Sequence, residues 1–160
     1  FQEGKPLPCA ISLSHRDGVA LCAVAPAGAG IGCDLERIEL RAPSFEHEWL
    51  CAGERALLGT AAGEARDLLV TLLWSAKESA LKALRTGLRR DPRDVAVEPA
   101  GLAAGRGALA LSCAPDVAAG FPSPCELAGF WERRGALVFT VVAEGLRDDP
   151  RALGGLLPLR

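Results

Sequence analysis

Two acidic residues, Asp34 and Glu36, lie two positions apart in a segment whose polar residues alternate with apolar ones, a pattern that predicts a β-strand. Side chains two apart on a strand share one face, and their Cα atoms are about 6.6 Å apart. Two carboxylates this close repel each other unless a positive group lies between them, and a hard cation with oxygen ligands would fill that role. The pair is also ordinary at a solvated strand edge, so the pattern alone leaves a metal site and an exposed edge both open.

A second pair, Glu78 and Lys82, lies four residues apart in a segment with strong helical periodicity. This spacing places both side chains on one helix face, with about 6 Å of rise between them. Glu followed by Lys at this spacing also favours an ordinary surface salt bridge, worth roughly 0.2–0.5 kcal/mol. Trp74 lies one turn earlier on the same face, which is unusual for a solvated surface. The helix alone therefore leaves a functional face and a surface pair both open.

Another predicted strand ends with two hydroxyls and an imidazole, which belong to Ser12, Ser14 and His15. Hydroxyls beside a histidine suggest nucleophilic catalysis. Adjacent residues on a strand point to opposite faces, however, so the geometry for a Ser14–His15 dyad is poor. Phosphate binding by these side chains and by backbone N–H groups at the turn is the better interpretation, because it needs donors rather than a nucleophile.

The elements that must position these residues follow from the periodicity of the whole chain. Strands are predicted over 9–14, 18–25, 31–36, 95–97, 108–112, 127–132 and 136–143. Short helices are predicted from Pro43 and over 52–58, and a long one over 64–86, with Gly87 as its C′ residue and Arg85 near the negative end of its dipole. Three strands, then helices, then four strands favour an α+β fold with an antiparallel sheet packed on one long helix.

The composition indicates a globular domain. With 160 residues, 49% of them hydrophobic, the chain is long and apolar enough to bury the core of one domain. A net charge of −2 gives no basic stripe for nucleic acid. No apolar run reaches the roughly 18 residues of a membrane span, and the N-terminus lacks the apolar stretch of a signal peptide. We therefore expect a cytoplasmic protein that binds neither nucleic acid nor membrane.

The cysteines do not suggest a metal site. The six cysteines form no C-x-x-C pair, and the two histidines lie far from most of them, so zinc is not expected. We expect buried, reduced thiols instead. The chain also contains no methionine, which leads us to expect a piece of a longer polypeptide.

Three blocks, taken together in their order and spacing, resemble the 4′-phosphopantetheinyl transferases of the surfactin type, relatives of the shorter holo-acyl-carrier-protein synthases. The blocks are Ser12-Leu13-Ser14-His15, Gly32-Cys33-Asp34-Leu35-Glu36 and Trp74-Ser75-Ala76-Lys77-Glu78-Ser79-Ala80-Leu81-Lys82. Gly4-Lys5-Pro6, Phe130-Trp131-Glu132 and residues 139–143 also match, so the resemblance covers nearly all of residues 4–143. It implies the fold of that family, here one lobe plus the end of the preceding lobe.

The resemblance implies a magnesium-dependent enzyme that transfers 4′-phosphopantetheine from coenzyme A to a serine of an apo acyl or peptidyl carrier protein, for polyketide, fatty-acid or nonribosomal peptide synthesis. Asp34, Glu36 and Glu78 match the residues that hold magnesium against the pyrophosphate. Glu78, or a water held by the metal, would be the base for the carrier serine. Lys82 would neutralise the phosphates as the ester leaves, in keeping with a reaction that depends on positioning and charge stabilisation.

The resemblance also implies contacts with coenzyme A. Ser14 and His15 match residues that bind the 3′-phosphate, and Lys5 matches a residue near the nucleotide. The family usually has two similar lobes with the site between them, whereas this chain begins near the end of the first lobe. A missing first lobe, a parent synthase or self-association would therefore complete the site.

We expect a transferase domain over 1–146 and a C-terminal tail over 147–160. The alternative function is a non-catalytic docking module for carrier proteins that kept the fold. The presence of Asp34, Glu36, Glu78 and Lys82 together favours the enzyme, because a docking module does not need three carboxylates that converge without a cation.

Overall fold

The computed structural model describes residues 8–114 and 127–146. Gly4-Lys5-Pro6 and the expected tail over 147–160 lie outside these residues. In chain order, the elements are β1 (Cys9–Arg16), β2 (Val19–Pro26), β3 (Ile31–Arg37), α1 (Pro43–Trp49), α2 (Ala52–Leu58), α3 (Gly63–Ala83), β4 (Val95–Pro99), β5 (Arg106–Cys113), β6 (Leu127–Arg134) and β7 (Leu137–Glu144), with 3₁₀ turns at Gly87–Arg89, Pro92–Asp94 and Leu102–Ala104. Each predicted strand and helix is present, and its bounds differ from the prediction by at most three residues.

One antiparallel sheet with the strand order β3-β7-β6-β5-β4 carries α3, which packs mainly over β3 and β7. Strands β1 and β2 form a separate antiparallel hairpin. This architecture confirms the predicted α+β fold, with an antiparallel sheet packed on one long helix. In the described ranges, no helix has both the length and the apolar character needed to cross a membrane.

Helix α3 is buried on nearly every side. Between Leu68 and Leu84, the only partly exposed residues are Trp74, Glu78 and Lys82. These three residues are spaced four apart, so they form a single stripe along the helix. The remaining faces of α3 pack into a core to which α2 and the sheet contribute Leu58, Val95, Val97, Leu109, Trp131, Val138 and Val142.

The hairpin contacts β3 through serine side chains. The N–H of Cys33 donates to Ser12 Oγ at 3.0 Å, and the N–H of Leu35 donates to Ser14 Oγ at 3.2 Å. The thiol of Cys33 donates to the carbonyl of Ser12 at 3.1 Å. The serine hydroxyls thus satisfy backbone donors along the edge of β3 that does not pair with β7, and they hold Ser14 next to Asp34.

The C-terminus of α3 differs from the prediction. The helix ends three residues earlier than expected, and Arg85 rather than Gly87 takes the left-handed conformation of the C′ position, with φ of 56°. The N–H of Thr86 donates to the carbonyl of Leu81 and that of Arg85 to the carbonyl of Lys82, both at 3.0 Å. This is the Schellman pattern. Gly87 begins the next 3₁₀ turn, so the glycine follows the cap instead of forming it.

The backbones of β3 and α3 approach each other closely at Gly32. A side-chain carbon at this position would overlap the carbonyl oxygen of Ser79 and would lie 2.7 Å from the backbone nitrogen of Ala83. Glycine, which has no such carbon, allows this approach. It places Asp34, two residues further along β3, beside the face of α3 that carries Lys82.

The expectation of buried thiols is confirmed for one of the described cysteines. Cys33 is buried, and its burial raises the pKa of the thiol. Cys22, in contrast, is exposed on the hairpin, and Cys9 and Cys51 are half-buried. Cys125 lies outside the described residues. The prediction is therefore wrong for Cys22, because it lies on the outer face of a two-stranded hairpin.

Replacing Gly32 with alanine is expected to destabilise the fold, because the added carbon would force α3 away from β3. The free energy of unfolding should fall by about 3 kcal/mol or more, measured by urea denaturation. Gly53→Ala in α2 is the matched control, since a carbon at Gly53 meets nothing within 4 Å. Alanine should stabilise that helix by up to about 1 kcal/mol. Wild-type stability of the Gly32→Ala chain would contradict the close approach.

Candidate functional site

The exposed stripe of α3 lies beside the strand that carries the two acidic residues. Lys82 Nζ donates to Asp34 Oδ1 at 2.8 Å and to the carbonyl oxygen of Cys33 at 3.0 Å. Lys82 therefore bridges the helix and the strand, which an ordinary salt bridge on the helix surface would not do. The four-residue spacing predicted that Lys82 shares a helix face with Glu78, and in the structure β3 packs beside that face.

Asp34 is almost completely buried, with 5% of its surface exposed. Its Oδ1 accepts hydrogen bonds from Lys82 Nζ and, at 3.0 Å, from Ser14 Oγ. Its Oδ2 is buried and has no hydrogen-bond donor in the part of the chain that the structure describes. Leaving a buried carboxylate oxygen without a partner is unfavourable, so this atom points to a group that the described residues do not supply.

Three donors contact Glu36. Arg16 Nη1 and Arg41 Nη2 each lie 3.4 Å from Glu36 Oε2, and the indole of Trp74 also interacts with this carboxylate. Burial and then repulsion by Asp34 raise the pKa of Glu36, and the arginines and the indole offset part of the increase. The site therefore favours further positive charge next to Glu36.

Glu78 interacts electrostatically with both acidic residues of β3. Its pKa is raised, chiefly by burial and then by the negative charge of Asp34, with a smaller contribution from Glu36. The positive charge of Lys82 offsets part of this increase. The structure thus brings together the strand pair and the helix pair that the sequence singled out.

The three carboxylates have the chemistry of a magnesium site, because magnesium prefers oxygen ligands. Positive charge would favour the ionised forms of Glu36 and Glu78, whose pKa values are raised, and would give Asp34 Oδ2 the partner that it lacks among the described residues, so the residues fit a divalent cation. Over residues 8–114 and 127–146, no three acidic, histidine or cysteine side chains already converge as metal ligands. The carboxylates would have to turn from their present arginine and lysine partners to bind the ion.

Strand β1 turns Ser14 and His15 to opposite faces. Ser14 Oγ donates to Asp34, whereas His15 is exposed on the outer face of the hairpin, opposite Ala20. The two side chains do not form a dyad, as the alternation along the strand predicts. The fold brings Ser14, but not the side chain of His15, to the carboxylates. Lys5 lies outside the described residues.

Sequence reasoning missed Arg16 and Arg41 and the contact of Trp74 with Glu36. The guanidinium carbon of Arg41 lies 4.9 Å from the centroid of the Phe45 ring, and that ring packs edge-on against Trp74, with centroids 5.4 Å apart. The unusual Trp on the helix face was a signal for this cluster. Arg41 gave none, because it lies in an irregular segment whose contacts have no periodicity.

A comparison of the sequence with models of protein families gives a match. A family model of the 4′-phosphopantetheinyl transferase superfamily matches residues 30–118, which is more than half of the chain. The match includes Asp34, Glu36, Glu78 and Lys82. No curated protein sequence matches the chain.

The fold is similar to those of three solved bacterial enzymes, each a holo-[acyl-carrier-protein] synthase. That of Neisseria meningitidis is 17% identical, with a TM-score of 0.59 over 73% of this chain and 98% of that one. That of Helicobacter pylori, in complex with coenzyme A, is 16% identical, with a TM-score of 0.55 over 70% and 96%. That of Thermotoga maritima is 23% identical, with a TM-score of 0.56 over 74% of this chain and 64% of that one. At these identities, the similarity establishes the fold.

Removing one of the three carboxylates is expected to stabilise the chain when EDTA is present. The pKa of Glu78 in the folded state lies above its ordinary value of 4.5. From about pH 4.5 upward the folded chain therefore binds more protons than the unfolded chain, and stability falls as the pH rises through the folded-state pKa. The Glu78→Gln variant should not show this loss of stability, because glutamine does not ionise. Urea denaturation should give a higher free energy of unfolding than wild type at about pH 7 and no gain at about pH 3.5.

Glu98→Gln on β4 is the matched control for this measurement, since Glu98 is exposed and lies on the opposite edge strand of the sheet from β3. It should change the free energy of unfolding by no more than about 0.5 kcal/mol at either pH. A Glu78→Gln chain that is less stable than wild type at neutral pH would contradict the repulsion among the carboxylates.

Proposed function

This chain belongs to the 4′-phosphopantetheinyl transferase superfamily, and we propose that it transfers 4′-phosphopantetheine from coenzyme A to a serine hydroxyl of an apo acyl or peptidyl carrier protein. The observation that best supports this proposal is the cluster formed by Asp34 and Glu36 of β3 with Glu78 and Lys82 of α3. The cluster places three carboxylates that can hold a cation beside a lysine that can neutralise phosphate charge. Transfer from a pyrophosphate substrate bound with a cation requires both.

In the proposed reaction, the serine oxygen bonds to the phosphorus that carries pantetheine, and the phosphoanhydride bond of coenzyme A breaks to release adenosine 3′,5′-bisphosphate. Glu78 is the proposed acceptor of the serine proton. Lys82 is proposed to neutralise charge on the phosphate oxygens as the leaving group departs.

Asp34, Glu36 and Glu78 are proposed to hold a magnesium ion. The unpartnered Oδ2 of Asp34 is the structural support for this assignment. When bound, the ion would supply positive charge to the pyrophosphate. The hydrogen bond from Ser14 Oγ to Oδ1 helps to orient the Asp34 carboxylate.

For coenzyme A, we propose contacts with Lys5, Ser14, His15 and Lys82, by the resemblance of their motifs. The proposed carrier proteins are those of polyketide, fatty-acid or nonribosomal peptide synthesis, and the proposed location is cytoplasmic.

We propose that the chain consists of a transferase domain over 1–146 and a tail over 147–160. A first lobe, a parent synthase or a second copy of the chain would supply the other wall of the site.

The rival function is a docking module that binds carrier proteins without catalysis. The electrostatics of the cluster argue against it, because the folded chain places three interacting carboxylates in buried or half-buried positions, where like charges are costly. Calorimetry discriminates between the two. Heat on adding coenzyme A together with magnesium, and little heat with coenzyme A alone, favours the enzyme.

The proposed function is tested by incubating the chain with coenzyme A, magnesium and an apo carrier protein. Mass spectrometry should show one phosphopantetheine added to the carrier. Asp34→Ala and Glu78→Ala should each reduce the rate at least about 100-fold, because Asp34 is a proposed ligand of the cation that neutralises the pyrophosphate and Glu78 is the proposed acceptor of the serine proton.

Glu48→Ala is the control, because Glu48 is an exposed carboxylate of α1, and it should leave the rate unchanged. Urea denaturation should confirm that all three variants are folded. Normal rates in either Asp34→Ala or Glu78→Ala would contradict the site assignment. If the wild-type chain transfers nothing, even with a first lobe supplied, the proposed function is wrong.

Magnesium dependence has its own test. EDTA should abolish transfer, and added magnesium should restore it, because no side chain of the cluster can replace a divalent cation between three carboxylates and a pyrophosphate. The control is far-UV circular dichroism, which should be unchanged by EDTA. Full activity in EDTA would rule out the proposed role of the cation.

A further inference from the structure

Lys77 is the largest side chain that is completely buried in the described part of the chain. Its Nζ lies 2.9 Å from Glu54 Oε2, donates to the carbonyl of Pro92 at 2.9 Å and also donates to the carbonyl of Val95. An ammonium group has three N–H donors, so all of them have acceptors. Lys77 therefore joins the middle of α3 to α2, to the 3₁₀ turn before β4 and to the start of β4.

Glu54, the partner of Lys77, is equally well bound. Its Oε2 accepts the N–H of Cys51 at 2.8 Å, and its Oε1 accepts the N–H of Val97 at 2.9 Å. The carboxylate is 98% buried, and each of its oxygens has a donor from the backbone. We call the pair formed by Lys77 and Glu54 the buried clamp.

A requirement for stability alone does not explain the buried clamp. Replacing a buried ion pair with apolar side chains of similar volume is often neutral or stabilising, because both charges must otherwise leave water. Hydrogen bonds differ from apolar contacts in that they fix distance and direction. The buried clamp therefore provides a defined orientation of α3, which apolar packing alone specifies less sharply.

The orientation of α3 is fixed from two opposite sides. Ser75 and Ser79 lie about 160° around the helix from Lys77, given 3.6 residues per turn. Both of their hydroxyls contact Oγ1 of Thr140 on β7, at 2.9 and 2.7 Å. Ties on opposite sides prevent the helix from rolling. A roll of about 10° would move a carboxylate at the outer radius of the helix by about 1 Å.

Such a roll would displace Glu78, which follows Lys77 directly and lies on the stripe of α3 that faces the site. We infer that Lys77, through its pairing with Glu54, is a positioning residue that fixes the rotation of α3 so that Glu78 meets Asp34 and Glu36. This inference rests on the proposed function, in which Glu78 acts at the substrate. Lys77 itself is fully buried and acts only through the helix.

The test is a double variant, Lys77→Met with Glu54→Gln, which removes both charges and nearly keeps the side-chain volumes. We expect kcat to fall about 10- to 100-fold, since a displacement of about 1 Å can cost 100-fold. The KM for coenzyme A should change less than about twofold, because the lost interaction belongs to the reacting geometry. A folded double variant with wild-type kcat would overturn the inference.

Leu68→Ala is the matched control for lost stability. Leu68 is buried in the same helix but lies about 15 Å before Glu78 along its axis. It should lower the free energy of unfolding and leave the kcat of the folded chain unchanged. If the double variant does not fold, Glu54→Gln alone, which leaves Lys77 its two carbonyl acceptors, should lower kcat several-fold. An unchanged kcat there would overturn the inference.

A crystal structure of the folded variant separates this inference from the proposed function. The Glu78 carboxylate should lie about 1 Å or more from its wild-type position relative to Asp34. That displacement would support the positioning role even if the wild-type chain transferred no phosphopantetheine, a result that would contradict only the proposed function. A Glu78 carboxylate that keeps its wild-type position relative to Asp34 would overturn the positioning role, whatever the activity of the variant.

Discussion

The close approach of β3 and α3 at Gly32 is the constraint on which the site depends. A side chain at Gly32 would overlap the backbone of the helix, and a wider spacing would take Lys82 out of reach of the Cys33 carbonyl and of Asp34. Thr140, which lies opposite Asp34 in the register of β3 and β7, binds two serines of α3 at the same level. The strand and the helix are therefore held together where the acidic residues lie.

This close contact has an electrostatic cost. The nearly buried Asp34 repels the half-buried Glu36 and Glu78, and burial together with this repulsion raises the pKa values of both glutamates. Lys82 and two arginines reduce the repulsion but do not remove it. Glu36 and Glu78 therefore ionise less readily than free carboxyl groups, and positive charge at this place would favour their ionised forms. A cation that binds there stabilises the folded state and prepares the site in the same step.

Local spacing in the sequence predicted the elements and the faces of the side chains, because both depend on the periods of strands and helices. It predicted that Asp34 and Glu36 share a face and that Glu78 and Lys82 share another. It could not predict the contact of Arg41 with Glu36, which depends on how an irregular segment folds back. Nor did it predict the serine hydroxyls on the edge of β3 or the C-cap of α3, since both depend on tertiary packing or on competing local conformations.

Two lysines of α3 show why residue type and spacing are insufficient to assign a role. Lys77 and Lys82 lie in the same short block, yet the side chain of Lys77 is completely buried, whereas 30% of that of Lys82 is exposed. Five residues place them about 140° apart around the helix. One faces α2 and β4, where its charge can only bind fixed acceptors, and the other faces β3, where solvent and ligands have access. The direction in which each side chain leaves the helix thus separates a lysine that can orient the site from one that can act in it.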